Sequence, residues 1–171
     1  AGSVDINKFA SDMSLQVIVQ KIDDLMPEDD IRHLLPRGNF NEEEYKRKLS
    51  NYIKVVRTPG LRALLENIFS GVTYEQFVIN PAGMRLHHAY IGGLLQHSVD
   101  VTGIALALAE QIGDMDKDLV IAGALLHDIG KLKEISSNIG FPYTNEGRLL
   151  GHISMSVLMV QEVAAKLKIP A

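Results

Sequence analysis

Ile121-Ala-Gly-Ala-Leu-Leu-His-Asp-Ile-Gly-Lys-Leu-Lys-Glu134 is the stretch whose reading decides the fold. Apolar residues run up to His127-Asp128, and Gly130-Lys131 follows. Ala122, Leu125 and Leu126 can share one helix face, which would bury it. The run delivers an imidazole and a carboxylate side by side at its C-terminal end. Those groups are ligands for a divalent metal of intermediate hardness. Neighbours on a regular helix point about 100° apart. Two adjacent ligands therefore share one ion most easily where the helix ends, and Gly130 reads as the stop. These residues alone also fit a capped helix end with a solvated Asp and a stray His.

The flanking sequence favours the metal. His88-Ala-Tyr-Ile-Gly-Gly-Leu-Leu-Gln-His97-Ser98 lies upstream, and Tyr143-Thr-Asn-Glu-Gly-Arg-Leu-Leu-Gly-His152 lies downstream. Three apolar helical patterns thus carry a His at or near one end, as in metal sites built inside helical bundles. His97 followed by His127-Asp128 resembles the HD-domain metal-dependent phosphohydrolases. The strings HHAYIGGLLQHS, GALLHDIGK and YTNEGRLLGHI, in order over residues 85–154, resemble more narrowly the YhaM-type 3′-5′ exoribonucleases.

The resemblance implies an all-α fold, an HD-domain helical bundle with a helical lead-in. It also implies a short N-terminal β-hairpin left over from a preceding OB-like domain. The first metal would be held by His97, His127 and Asp128, and His152 would help hold a second. Lys131 would face the active site and neutralise a phosphoryl oxygen. The ion would be manganese first, with iron, cobalt, nickel, zinc or magnesium as alternatives. Water activated by the ion would attack phosphorus at the 3′ end of single-stranded RNA or DNA.

Composition sets limits. At 171 residues and 46% hydrophobic, the chain can bury a real core. Its apolar stretches are too short and interrupted for a membrane span, and no signal peptide is evident. With no Cys there is neither a disulfide framework nor a thiolate site. A cytoplasmic location is compatible, and a homo-oligomer is left open. Net charge is −4, so any basic footprint for nucleic acid must be local.

Three segments are expected. In residues 1–26, Leu15–Ile22 alternates like a strand, with Ser3–Phe9 as hairpin partner and a turn near Ser11-Asp12. Residues 27–80 are a linker containing His33, followed by lead-in helices. Asn41 is the N-cap with Glu44 at the capping-box position, and Tyr45, Leu49, Tyr52, Ile53 and Val56 form the apolar face. Thr58-Pro59-Gly60 breaks that helix, Leu61–Ile68 and Thr73–Ile79 follow, and Asn80-Pro81 stops the third. Residues 81–171 are the HD-type domain, C-terminally incomplete.

Within that domain, Leu94, His97, Val101, Ile104 and Leu108 fall on one predicted buried seam. A seam His on its own is commonly a core residue bonded to a carbonyl; His127-Asp128 tips His97 toward ligation. Asp100, one turn on, could orient an imidazole or be solvated. His87 and His88 precede Gly92-Gly93, glycines that permit close backbone approach. His88 is a candidate phosphate contact. Residues 135–147 read as a polar loop, a rim or lid, where Tyr143, Thr144 and Arg148 could touch nucleotide or phosphate. Leu149–Leu167 is the last helix, opened by His152.

The HD pattern's terminal Asp, and a further His pair, do not follow His152, which implies a missing C-terminal segment. Two other functions remain open: a nucleotide or cyclic-nucleotide phosphohydrolase, and a non-catalytic HD-type binding module.

Overall fold

The computed structural model describes residues 2–6, 15–19, 35–85, 87–138 and 140–169. The chain divides into two compact units, Ala1–His33 and Leu34–Ala171. In the first, β1 (Gly2–Ile6) pairs antiparallel with β2 (Leu15–Val19), from Gly2 opposite Val19 to Ile6 opposite Leu15. The strand ends expected at Phe9 and Ile22, the turn at Ser11-Asp12 and His33 lie outside the described residues. Nothing in the two strands identifies an OB-type domain.

The second unit is helical among its described residues. It runs α1 (Glu42–Val55), α2 (Pro59–Ile68), α3 (Gly71–Ile79), α4 (Gly93–Ile112), α5 (Lys117–Leu126), α6 (Lys131–Glu134) and α7 (Asn145–Lys166). Each boundary has a local cause. The Asn41 side chain accepts from Glu44 N at 3.1 Å, and Asp116 accepts from Asp118 N and Leu119 N. Thr144 Oγ1 accepts from Gly147 N at 2.8 Å. Such caps satisfy amides that the first turn leaves unpaired. Pro59 opens α2, where its missing N–H costs nothing. Asp118 reaches from α5 to accept from Arg57 N, Thr58 N and Thr58 Oγ1, fixing that corner.

The core gathers Leu49 and Ile53 from α1, Val56 just after it, Leu64, Leu65 and Ile68 from α2, and Phe77 from α3. It continues through Leu94, Leu95 and Val99 of α4 and Ile121, Ala122 and Leu125 of α5, to Ile129 in the following turn. Each fully buried aliphatic side chain contributes about 1.5–3 kcal/mol. Among the described residues no helix is long and apolar enough to cross a membrane.

The structure corrects four sequence expectations. On α4 the buried line is Leu94, Leu95, Ser98, Val99, Thr102 and Ala109. Ile104 and Leu108, expected on the seam, are 62% and 57% exposed. The helix is turned by about one residue, or 100°, because Ser98 and Thr102 lie inside, with Thr102 Oγ1 bonded back to Ser98 O at 2.7 Å. His97 therefore sits at the margin of the core rather than within it. Second, the loop after α6 is pinned rather than wholly polar: Ile135 and Phe141 are buried with Leu35, and Ile135 bridges Tyr143.

Third, the last helix starts at Asn145, not Leu149, and Gly151 breaks its φ/ψ at φ 69°, so a fresh helical segment begins at His152. Fourth, Gly130 is right-handed, φ −63° and ψ −18°, not a left-handed stop. Its glycine is required by packing, since a Cβ there would collide with His152 O and Ser156 N of α7.

Gly130→Ala is expected to lower unfolding stability by about 1–3 kcal/mol through overpacking. Gly123→Ala, on α5 with nothing within 4 Å of the added Cβ, is expected to be neutral or stabilising by about 0.5–1 kcal/mol. Urea denaturation of both variants checks the contrast.

Candidate metal centre

Four elements converge here. His97 stands on the second turn of α4, and His127-Asp128 leaves the end of α5. Lys131 and Glu134 are the two ends of α6, and His152 follows the break in α7. The α5–α6 turn is held from α7 by Ser156, whose Oγ accepts from Gly130 N at 2.9 Å and donates to His127 O at 3.2 Å. From the other side the buried Asn80 side-chain amide donates to Lys131 O and Ile135 O, and the Asn80 backbone carbonyl receives Leu94 N at the start of α4. Ser156 thus ties α7 to the α5–α6 turn, and Asn80 ties the start of α4 to α6.

Asp128 is 4% exposed. Its Oδ2 lies 3.3 Å from His97 Nε2, 3.2 Å from His127 Nε2 and 2.7 Å from Lys131 Nζ. The two Nε2 atoms are 3.2 Å apart. Three donor atoms therefore form a nearly equilateral triangle. Donors held about 2.0–2.2 Å from one ion stand about 2.8–3.6 Å from each other in octahedral or tetrahedral arrangement, and all three edges fall in that range. His97, His127 and Asp128 form the one group of this kind among the described residues.

The chemistry of the donors fits as well as the spacing. His127 Nδ1 lies 2.8 Å from Ala124 O, a carbonyl that can only accept. Nδ1 therefore carries a proton, and Nε2 is the nitrogen that can release its own to a cation at the centre, an arrangement that outer partners of ligating histidines commonly ensure. Burial pushes the Asp128 carboxyl up, but hydrogen bonds from His127, His97 and Lys131 outweigh it and hold it far below the usual carboxylate range. The Asp128 hydrogen bond, against burial, raises His127 above the usual imidazole value.

The remaining sequence candidates are distributed as follows. Lys131 faces the centre, at Asp128. His152 lies on its far side, Nε2 3.4 Å from Asp128 Oδ1, outside the three-atom group. His88 lies on the wall of an adjoining cleft of about 420 Å³, lined with Ala82, His87, His97 and Lys131. Its ring centre is 5.5 Å from that of His97. Arg148 is exposed on the first turn of α7 and touches none of the cluster among the described residues. Thr144 is a cap, bonded also to Lys133 O, and Asp100 accepts from Tyr45 Oη at 2.8 Å rather than from an imidazole.

Sequence reasoning missed Glu134. This buried carboxylate accepts from His152 Nδ1 at 3.0 Å and His152 N at 2.9 Å, setting both the ring and the start of the helical segment. Its signal was its place one turn beyond Lys131 on the same face. Ser156 was also missed, since a serine on an amphipathic helix gives no signal of its own.

Residues 94–169, the stretch that contains all four of these elements, match the family model of the HD domain. No solved structure matches the chain. The chain thus carries an HD domain at residues 94–169, with His97, His127 and Asp128 as a group able to hold a metal ion.

The two shifts give opposite acid and alkaline limits. The Asp128 contribution to stability is complete above about pH 4 and is lost only in strong acid. The His127 contribution is complete below about pH 6.5 and is lost as pH rises through its elevated value. The Tm of metal-free protein is therefore expected to fall as pH climbs from mildly acidic to alkaline. With excess manganese the fall is expected to shrink or reverse, because a cation takes the neutral imidazoles. Thermal scans across that pH range, with manganese or with chelator, check both signs.

Proposed function

We propose that this chain is a metal-dependent phosphohydrolase acting on phosphodiesters, and specifically one that shortens single-stranded RNA or DNA from the 3′ end. The observation that carries the reading is the placement of Lys131 Nζ 2.7 Å from the same Asp128 oxygen that His97 and His127 surround. A site that combines a metal-ligand triangle, a lysine ammonium and an open cleft reaching both His97 and Lys131 suits an anionic phosphoester. At net charge −4 the attraction is local to this cleft.

A divalent cation bound at the triangle, manganese first, supplies Lewis acidity and lowers the pKa of water. The chain's own residues do the rest. Asp128 stays ionised across the working pH range because its nitrogen neighbours hold it so. Ala124 O holds the His127 ring with Nε2 turned inward. Lys131 offers an ammonium to a phosphoryl oxygen, where developing charge is stabilised. Glu134 takes the His152 Nδ1 proton and leaves Nε2 directed at Asp128 Oδ1, a place for a second ion. Arg148 is proposed as an outer contact for the nucleic-acid strand.

A nucleotide or cyclic-nucleotide phosphohydrolase is the second reading, favoured by the cleft volume, which lies in the range of small-ligand pockets.

With manganese, a labelled single-stranded oligonucleotide is expected to shorten stepwise from its 3′ end to monophosphates. Hydrolysis of mononucleotides with the oligonucleotide left intact would select the second reading. No cleavage and no retained metal would favour a binding module. Asp128→Asn is expected to lower kcat by more than about 100-fold, and Glu134→Gln by about 10–100-fold, the usual cost of removing an outer partner. Single-turnover assays check both.

A further inference from the structure

Two hydrogen-bonded groups lie behind the cleft wall, Tyr45 with Asp100 and His88 with Tyr90 and Gln96. Asp100 Oδ1 accepts from Tyr45 Oη at 2.8 Å. Tyr90 Oη donates to Gln96 Oε1 at 2.6 Å, and lies 2.6 Å from His88 Nδ1. Gln96 therefore presents its oxygen to Tyr90.

The direction of every bond then follows from the end that cannot donate. A carboxylate only accepts, so Tyr45 spends its proton on Asp100. An amide oxygen only accepts, so Tyr90 spends its proton on Gln96. Tyr90 Oη is left as an acceptor, and His88 Nδ1 must carry a hydrogen. His88 Nε2, which has no hydrogen-bond partner among the described residues, is therefore an acceptor.

The backbone holds this residue in place at a cost. His87 and His88 have φ of 45° and 55°, and Gly92 has φ 82°. The His88 carbonyl receives Ala82 N at 3.1 Å and Tyr90 N at 2.9 Å. A Cβ on Gly93 would collide with that carbonyl, and one on Gly38 with the Tyr90 ring. Left-handed backbone at two successive non-glycine residues persists where the surroundings over-determine it, and it concentrates at binding sites.

The polarity matters for ligand choice. An ionised phosphate offers only acceptors, which suits Lys131 and not an acceptor nitrogen. His88 therefore does not suit the phosphate contact read from sequence. It needs a donor, and the donor next to phosphate in a nucleotide is a sugar hydroxyl. We infer that His88 Nε2 accepts a hydrogen bond from a ribose hydroxyl of the bound nucleotide unit. Tyr90 and Gln96 act as positioning residues that fix its tautomer. The inference rests on the phosphoester reading only in placing phosphate at the Lys131 side of the cleft.

Two measurements test it. Nitrogen-15 spectra of the imidazoles, at mildly alkaline pH where His is neutral, are expected to show His88 protonated at Nδ1, and Tyr90→Phe is expected to release that preference. The Nε2–H tautomer in the unaltered chain would overturn the inference. In the second, adenosine monophosphate and its 2′-deoxy and 3′-deoxy analogues are titrated with manganese present. The ribonucleotide is expected to bind about three- to tenfold more tightly than one of the two analogues, the worth of one hydrogen bond.

His88→Ala is expected to erase that difference while leaving the weaker analogue's affinity unchanged. Absence of binding, absence of a preference, or a preference that survives His88→Ala would overturn it. So would a His88→Ala loss of kcat that is equal on ribo and deoxy substrates, the mark of a water-activating base. Monophosphate binding needs no cleavage. A hydroxyl preference in a chain that cuts no oligonucleotide would sink the exonuclease reading and leave His88 assigned.

Discussion

Asp128 is a carboxylate removed from water, and its two oxygens are met almost entirely by nitrogen. Oδ2 has His97, His127 and Lys131 within 3.3 Å, and Oδ1 has His152 at 3.4 Å. Burying such a charge is costly unless it is paired and hydrogen-bonded. The rest of the HD domain can be understood as the means of bringing those four partners, from α4, the α5–α6 turn, α6 and α7, to one point.

The turn between α5 and α6 carries most of that burden. Gly130 lets the α7 backbone come close enough for Ser156 to bond both Gly130 N and His127 O. The break at Gly151 frees His152 N to reach Glu134, and Glu134 also takes the ring. Asn80 links the end of α3, the start of α4 and the end of α6. A change in any of these would move one of the four partners of Asp128 without touching it. Function and packing are therefore hard to separate at this turn, whereas the His88 wall of the cleft depends on a separate set of residues.

Much of this was legible in the chain. The apolar period of Tyr45 to Val56, the Asn41 cap and the Pro59 and Pro81 breaks gave the lead-in helices, because local rules settle them. His97, His127 and Asp128 were legible as a set because metal ligands are chemically distinctive and the helical pattern places each at an element's edge. The rotation of α4 was not, since Ser98 and Thr102 look like surface residues until their neighbours are known. Gly130 looked like a helix stop, but its role is set by α7, which is some twenty residues on. Glu134, Ser156 and the tyrosine–glutamine chain act only through partners distant in sequence, and single-residue chemistry does not announce such pairings. The strand pairing of Gly2–Ile6 with Leu15–Val19 follows the alternation in Leu15–Val19, though nothing in it says what larger domain, if any, it serves.

Diffraction from crystals soaked in manganese, recorded for its anomalous signal, tests the centre most directly. The account predicts a peak about 2.0–2.2 Å from His97 Nε2, His127 Nε2 and an oxygen of Asp128 together. A peak elsewhere, or a His97 ring turned out of that triangle with the ion present, would contradict it.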